Sequence, residues 1–426
     1  MKAKNVLITI LVTLLLLPGV LFAQAAAEKT DSNTMRLAWW GNPTRDERTY
    51  KAVQMFEAKN PGVTIETETT GWSGYWDKMN TQAAAGSLPD LMQHDYAYML
   101  QWVERNQLAD LTPYVNQGII DLSKINDSFL TGGRVDGKLY GISLGTNAVC
   151  LTYDPAVLKK AGISQIDSTT WTWEDFERIA IQVYQKTGVQ TIPFFTTDPK
   201  VGFDNMIRQT GASTYGKTGL GFTDPAVLRE FYAIQLRLLD AGALIKPETA
   251  FVTVSPEEGA MAKGDTWVEF IWSNQFVSTQ AAAQRPLEIA MLPNIKNAKA
   301  KGTFLKPSMF FSIPATAENP ELAAKFLNYF VNDIEVNEML MGERGVPIPD
   351  DVREHMATMV DPINKQIFDY ISLVSKNAGP IDAPDPAGSG EFLKMVRDVT
   401  QEILMKRVSL NEGVAKIMSR GNEILK

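Results

Sequence analysis

The opening of this 426-residue chain constrains its fold more than any other segment. A strand-like run, "MRLAWW" over 35–40, leads through "GNPTRDERTYKAVQMFEAKNPG" into "VTIETET" over 63–69. In the middle segment Tyr50, Val53 and Phe56 recur at helical spacing, Thr44 with Glu47 fits a capping box, and Asn60-Pro61-Gly62 ends the helix. The period-two alternation of 63–69 then returns to a strand. Two strands joined through a helix imply a parallel pair, because antiparallel neighbours need only a tight turn. The alternation continues with a helix around 73–85, an apolar strand in "PDLMQHD" and a helix from about 96 to 105. The first third is therefore expected to be a doubly wound α/β unit, a class that binds ligands beyond the carboxyl ends of its strands.

Trp39 and Trp40 lie at one such strand end. Successive strand residues face opposite sides, so the two indoles cannot share one environment. Trp40, nearer the strand's end, is expected as a binding platform, and Trp39 as a residue that packs beneath the sheet or, equally, contacts ligand. The following loops are also aromatic, with Trp72, Tyr75 and Trp76, then Tyr96 and Tyr98. A flat, weakly negative ring face suits the C–H face of a sugar or a cation. Asn42, Arg45 and Asp95 are interleaved polar groups that could fix hydroxyls. For Trp76 and Tyr98 packing is the better reading, since both sit at helical positions.

Export is expected from the first 27 residues: Lys2 and Lys4 precede an apolar run from Val6 to Phe22, and "AQAAA" follows, with cleavage near Ala25 or Ala27. Cys150 is the only cysteine, so the fold holds no internal disulfide. Two histidines, His94 and His355, exclude a histidine-rich zinc site. A net charge of −8 without a basic cluster argues against nucleic acid and anionic lipid as partners.

Neither a phosphate-cradling glycine loop nor a calcium-loop spacing occurs, and no cofactor is expected. A glycosidase would need two carboxyl groups flanking one bond, and Asp90, Asp95 or Asp385 could supply them, although turn and capping roles also account for Asp90 and Asp385. Helix starts are expected at Thr172 with Asp175, at Thr223-Asp224-Pro225, at Ser255-Pro256 with Glu258, and at Asn319-Pro320. The segment "NAGPIDAPDPAGSGEF" reads as a deliberate loop.

The ordered set "LAWWGN", "FEAKNPGV", "AAGSLPDLMQHD", "VDGKLYGISLGTNAVCLTYDPAVLKKAG", "TWTWEDF" and "NPELAAKFLNYFVND" resembles the extracellular solute-binding proteins of carbohydrate ABC transporters, the maltose-binding-protein-like family. The resemblance implies an α/β periplasmic-binding-protein fold of two lobes, joined by hinge strands, that closes over a sugar. It places the first lobe over Thr34–Thr146 and Lys306–Pro349 and the second over 147–305 and 350–426. It implies a periplasmic, soluble, monomeric protein that binds a mono- or oligosaccharide and meets membrane permease subunits, and it implies no enzymatic activity. By resemblance Trp40, Asn42 and Arg45 occupy the first strand-to-helix loop of the site, Trp72 the second, and Asp95 the acidic position after "PDL". Asn147 stands where the maltose binder has a carboxylate. Trp272 and Ser273, with Asn274, match the second lobe's aromatic segment, the loop around Asp385 reaches the cleft, and Tyr96, Phe310 and Arg344 are further candidates. A secreted glycoside hydrolase using Asp95 and Asp385, or the same fold binding a polyamine or a sugar phosphate, stays open beside this reading.

Overall fold

The computed structural model describes residues 33–252 and 256–426. The expected export segment and Ser255 of one expected helix start lie outside them.

The opening succession forms as its pattern requires. Strands Thr34–Trp40 and Thr64–Thr70 pair in parallel, in register from Thr34 opposite Thr64 to Trp40 opposite Thr70. Helix Pro43–Lys59 crosses between them. Its cap is Asn42 rather than the expected Thr44: the Asn42 side chain accepts from the Arg45 N–H at 3.0 Å. Pro43 explains the shift, because a proline at the first helical position has φ already set and no N–H to satisfy. Glu47, freed from capping, pairs with Lys51 one turn on.

Strand Leu91–His94 joins the other side of the first strand in parallel. Lys306–Ser312 then adds antiparallel to it, and Ile142–Asn147 closes the five-stranded sheet. A second sheet holds Val268–Trp272, Val149–Tyr153 and Glu288–Ala290, all antiparallel. Helices dominate the rest, among them Trp173–Thr187, where the expected capping box of Thr172 and Asp175 is present. The result is an α/β fold built on two sheets, with the chain passing directly from one to the other.

The passage is short. Asn147, last residue of one sheet, and Val149, first of the other, are separated only by Ala148. Directly opposite Asn147 in the register is Lys306, where the chain returns to the first sheet. Ser273 fastens this corner, accepting from the Ala148 N–H at 3.1 Å through its hydroxyl while its own N–H donates to the Ala148 carbonyl at 2.8 Å. Ser273→Ala would strand the buried Ala148 N–H and is expected to cost about 1–3 kcal/mol in urea unfolding. An unchanged midpoint would show that the corner holds without it.

The core is aromatic on both sides of the first sheet. Leu37, Trp39, Phe311, Phe326 and Phe330 fill one face, a cluster that continues through helix Pro362–Ser375 to Cys150 and Ile271 of the second sheet. Trp40, Tyr75, Trp76, Met79 and Trp102 fill the other. The second lobe has its own cluster around Trp173, Phe176, Phe194, Trp267 and Phe270. Cys150 is a buried strand residue whose thiol burial pushes up, away from the thiolate that a nucleophile needs.

Candidate functional site

Strand alternation separates the two indoles of "LAWWGN" as expected. Trp39 is fully buried and donates its N–H to Asp46 at 2.7 Å, with Tyr50 edge-on at 5.3 Å. Gly41 permits this, since a Cβ there would overlap the Asp46 carboxylate. Trp40 faces the other way into a nest formed by Trp72, Tyr75 and Trp76, with ring centroids at 5.0, 5.2 and 6.0 Å. At 7% exposure Trp40 is not an open platform; the open indole is Trp72, at 47%. Gly71 precedes it as the helix cap without a side chain, so Trp72 stands at the first turn with nothing in front of it.

Burial corrects several expected contacts. Trp39, Tyr75, Phe310 and Ser273 are 0–1% exposed, and Arg344 4%. Tyr75 spends its hydroxyl on the Gln93 carbonyl at 2.7 Å. Phe310 packs behind Tyr96, and Gly141 leaves room beside it, since a Cβ there would crowd Phe310, Met99 and Ser312. Arg344 donates to Gln93 and Thr49 at 3.0 and 2.9 Å and lies over the Phe330 ring. Burial, with the neighbouring Arg45 charge, lowers its guanidinium to about 9. Arg45 is likewise committed: Glu343 takes its Nε at 3.0 Å and the Trp40 carbonyl its Nη1 at 3.3 Å. Asn42 is exposed but serves as the helix cap. These residues build the wall behind the site and spend most of their polar groups within it; Arg344 Nη1, buried, has no hydrogen-bond partner among the described residues, and Asn42's amide is exposed.

Other expected residues do converge, and Lys306 is where they meet. Its ammonium lies 5.3 Å from the ring centre of Trp272. Its charge also reaches Asp95, whose carboxyl is raised by burial and drawn back by the Ala97 N–H and by Lys306. Asp95 caps helix Tyr96–Glu104, accepting from Ala97 at 2.9 Å. Beneath it His94 is fully buried and burial holds it down to about 3, so the imidazole is neutral and titrates far below physiological pH.

From Asp95 the contacts run on as a connected ring. The Tyr96 hydroxyl donates to the Asp382 carbonyl, the Asp382 carboxylate pairs with Arg208, and Arg208 lies 4.7 Å over Phe304. Phe304 meets Trp272 edge-on at 6.2 Å, which returns to Lys306. Trp272 also donates its indole N–H to Asp198 at 3.1 Å. Asp385 stands just outside, in an ion pair with Lys200, whose ammonium lies 5.9 Å from the Tyr215 ring. The expected loop 377–392, whose last residues begin helix Ser389–Leu404, is thus drawn into the site by Asp382 more than by Asp385. Asn147, half-buried opposite Lys306, completes the ring at the hinge.

The sequence reading missed Lys306, Asp198, Arg208, Phe304 and Asp382 as site residues. None stands in a motif; they meet through strand register and through a loop whose destination is set by tertiary structure. Together the group offers one broad aromatic face, an acceptor and a donor free of ion pairs in Asp95 and Lys306, and amide and phenol groups. Such a set can hold a polar ring by stacking and hydrogen bonds.

Similar proteins carry the same architecture. A family 1 extracellular solute-binding protein from Alicyclobacillus acidocaldarius superposes with a TM-score of 0.85 at 28% identity, over 92% of this chain and 98% of that one. A lactose-binding protein of Rhizobium radiobacter is 25% identical over 311 residues, 69% of this chain and 70% of its own. An arabinooligosaccharide-binding protein of Bacillus subtilis is 27% identical over 224 residues, 51% of this chain and 50% of its own. Binding proteins of Brucella abortus are matched over 30% of their length. Residues 51–366 match the family model of the bacterial extracellular solute-binding proteins, and the chain belongs to that family.

Proposed function

We propose that the chain binds a neutral carbohydrate between its lobes and delivers it to the membrane permease of an ABC transporter, without chemistry on the ligand. One observation carries the reading: the half-buried Trp272 ring lies against the Lys306 ammonium, whose charge also reaches Asp95, and among the described residues neither Asp95 nor Lys306 is consumed by an ion pair. A sugar needs this combination, since its ring has an apolar C–H face and its vicinal hydroxyls both donate and accept. A polyamine would need several free carboxylates, whereas Asp382 and Asp385 are tied to Arg208 and Lys200. A sugar phosphate would need several free cations, and Arg45 and Arg344 are held in the wall. Trp72, with Trp40 behind it, offers a further stacking face for a longer oligosaccharide. The similarity to lactose- and arabinooligosaccharide-binding proteins agrees with this class.

On this reading the chain is exported through its first 27 residues, acts as a monomer in the periplasm, and divides near Thr146 and Lys306. Closure is a population shift, favoured by a ligand that touches both lobes at once. A thermal-shift screen against mono- and oligosaccharides tests the class, because a ligand that binds only the folded state raises the melting temperature. A shift with spermidine or glycerol phosphate and with no sugar would refute it. Asp95→Asn keeps the helix cap and the acceptor but removes the charge, so about a fivefold loss of sugar affinity is expected in fluorescence titration.

A further inference from the structure

The second lobe holds a cavity separate from the cleft, about 410 Å³ in volume. Its floor is the reverse side of the strand that ends at Trp272. Val268, Phe270 and Trp272 face the second-lobe core, so Glu269 and Ile271 point the other way. Ile192, Ile245 and Met261 add apolar wall. Among the described residues Glu269 has no hydrogen bond and no ion pair, and burial alone pushes its carboxyl up to about 7. Directly opposite it in the register is Thr152, fully buried, whose hydroxyl also lacks a partner. Glu269, partly exposed, carries its unpaired carboxylate on the cavity's lining, and the buried Thr152 hydroxyl beside it is a second polar group without a partner among the described residues, so a ligand that satisfied the carboxylate would be favoured.

We propose that this cavity is a second binding site, for an organic monocation whose ammonium or guanidinium pairs with Glu269 and whose short apolar body rests against Ile192, Ile245 and Met261. The other charged groups of the lining are Glu258, Asp265 and Lys263, an acidic balance that favours a cation, and Cys150, opposite Ile271 on the neighbouring strand and on the same face, is the other titratable neighbour. The site is independent of the cleft, so sugar binding serves as the control in its test.

Calorimetric titration of the full mature chain with n-butylammonium and with n-butylguanidinium, against 1-butanol as the neutral analogue, tests the proposal. The cations are expected to bind at least about tenfold more tightly than butanol, and Glu269→Gln to lose about tenfold or more. Affinity should rise about tenfold from pH 6 to pH 8 as the carboxyl ionises. Folding of the variant is checked by its melting temperature, and the sign is fixed. The folded carboxyl titrates near 7 and an unfolded one near about 4.3, so the folded state holds more protons between them and wild-type stability falls as pH rises through that window. Glu269→Gln should therefore melt above wild type at pH 8 and converge with it near pH 4.5. No cation binding up to ~50 mM, butanol binding as tightly, or binding that survives in Glu269→Gln would each overturn the site, whatever the cleft binds.

Discussion

Trp39→Ala is expected to destabilise the protein by about 3–5 kcal/mol, the range for removing a fully buried aromatic side chain, while ligand affinity of the folded fraction stays within about twofold. The indole contributes on two counts. It fills the face of the sheet shared with Leu37 and Phe326, and its N–H satisfies Asp46, which also accepts from Thr69 at 2.9 Å. Alanine leaves a cavity and withdraws one donor from a half-buried carboxylate at once. Urea unfolding with a matched ligand titration separates the effects. A stable variant that had lost its ligand would place Trp39 in the site and reverse the strand's register.

Trp272→Ala is expected to weaken sugar binding by about 10–100-fold, as truncation of a central aromatic anchor does. The residue is half-buried, so part of its area already serves the second-lobe cluster, and a smaller stability loss accompanies the affinity loss. Removing it also strips Asp198 of an indole donor and Lys306 of its aromatic partner. Phenylalanine at the same position keeps the face and loses the N–H, so Trp272→Phe should recover most of the affinity. Equal losses in both variants would assign the energy to the Asp198 hydrogen bond instead of stacking.

The fold was legible because its signals are local. Parallel pairing of the first two strands follows from the helix between them, and the opposite fates of Trp39 and Trp40 follow from period-two alternation. The site was legible only where function and local structure coincide. Asp95 is both a helix cap and a neighbour of the Lys306 charge, and Asn147 ends a strand opposite Lys306, so both candidates could be located. Which indole is open could not be read, because the cover over Trp40 comes from Trp72 across a strand-to-helix turn. The partners of Arg45 and Arg344 could not be read, because Glu343, which holds the first, and Gln93, which holds the second, lie some 250–300 residues away. Lys306 carried no signal of its own: its place beside Asp95 and Trp272 depends on an antiparallel strand inserted between two parallel ones. Glu269 alternated out of an aromatic strand, and only the cavity below it makes the position notable.

The central claim is that a carbohydrate binds between the lobes, against Trp272 and beside Asp95 and Lys306. The most direct measurement is isothermal titration calorimetry of the mature protein with the sugar that gives the largest thermal shift, run in parallel on Trp272→Ala. One site per chain, with affinity lost by an order of magnitude or more in the variant, is the predicted result. Absence of heat with every sugar, or a sugar isotherm unchanged by Trp272→Ala, would contradict the account.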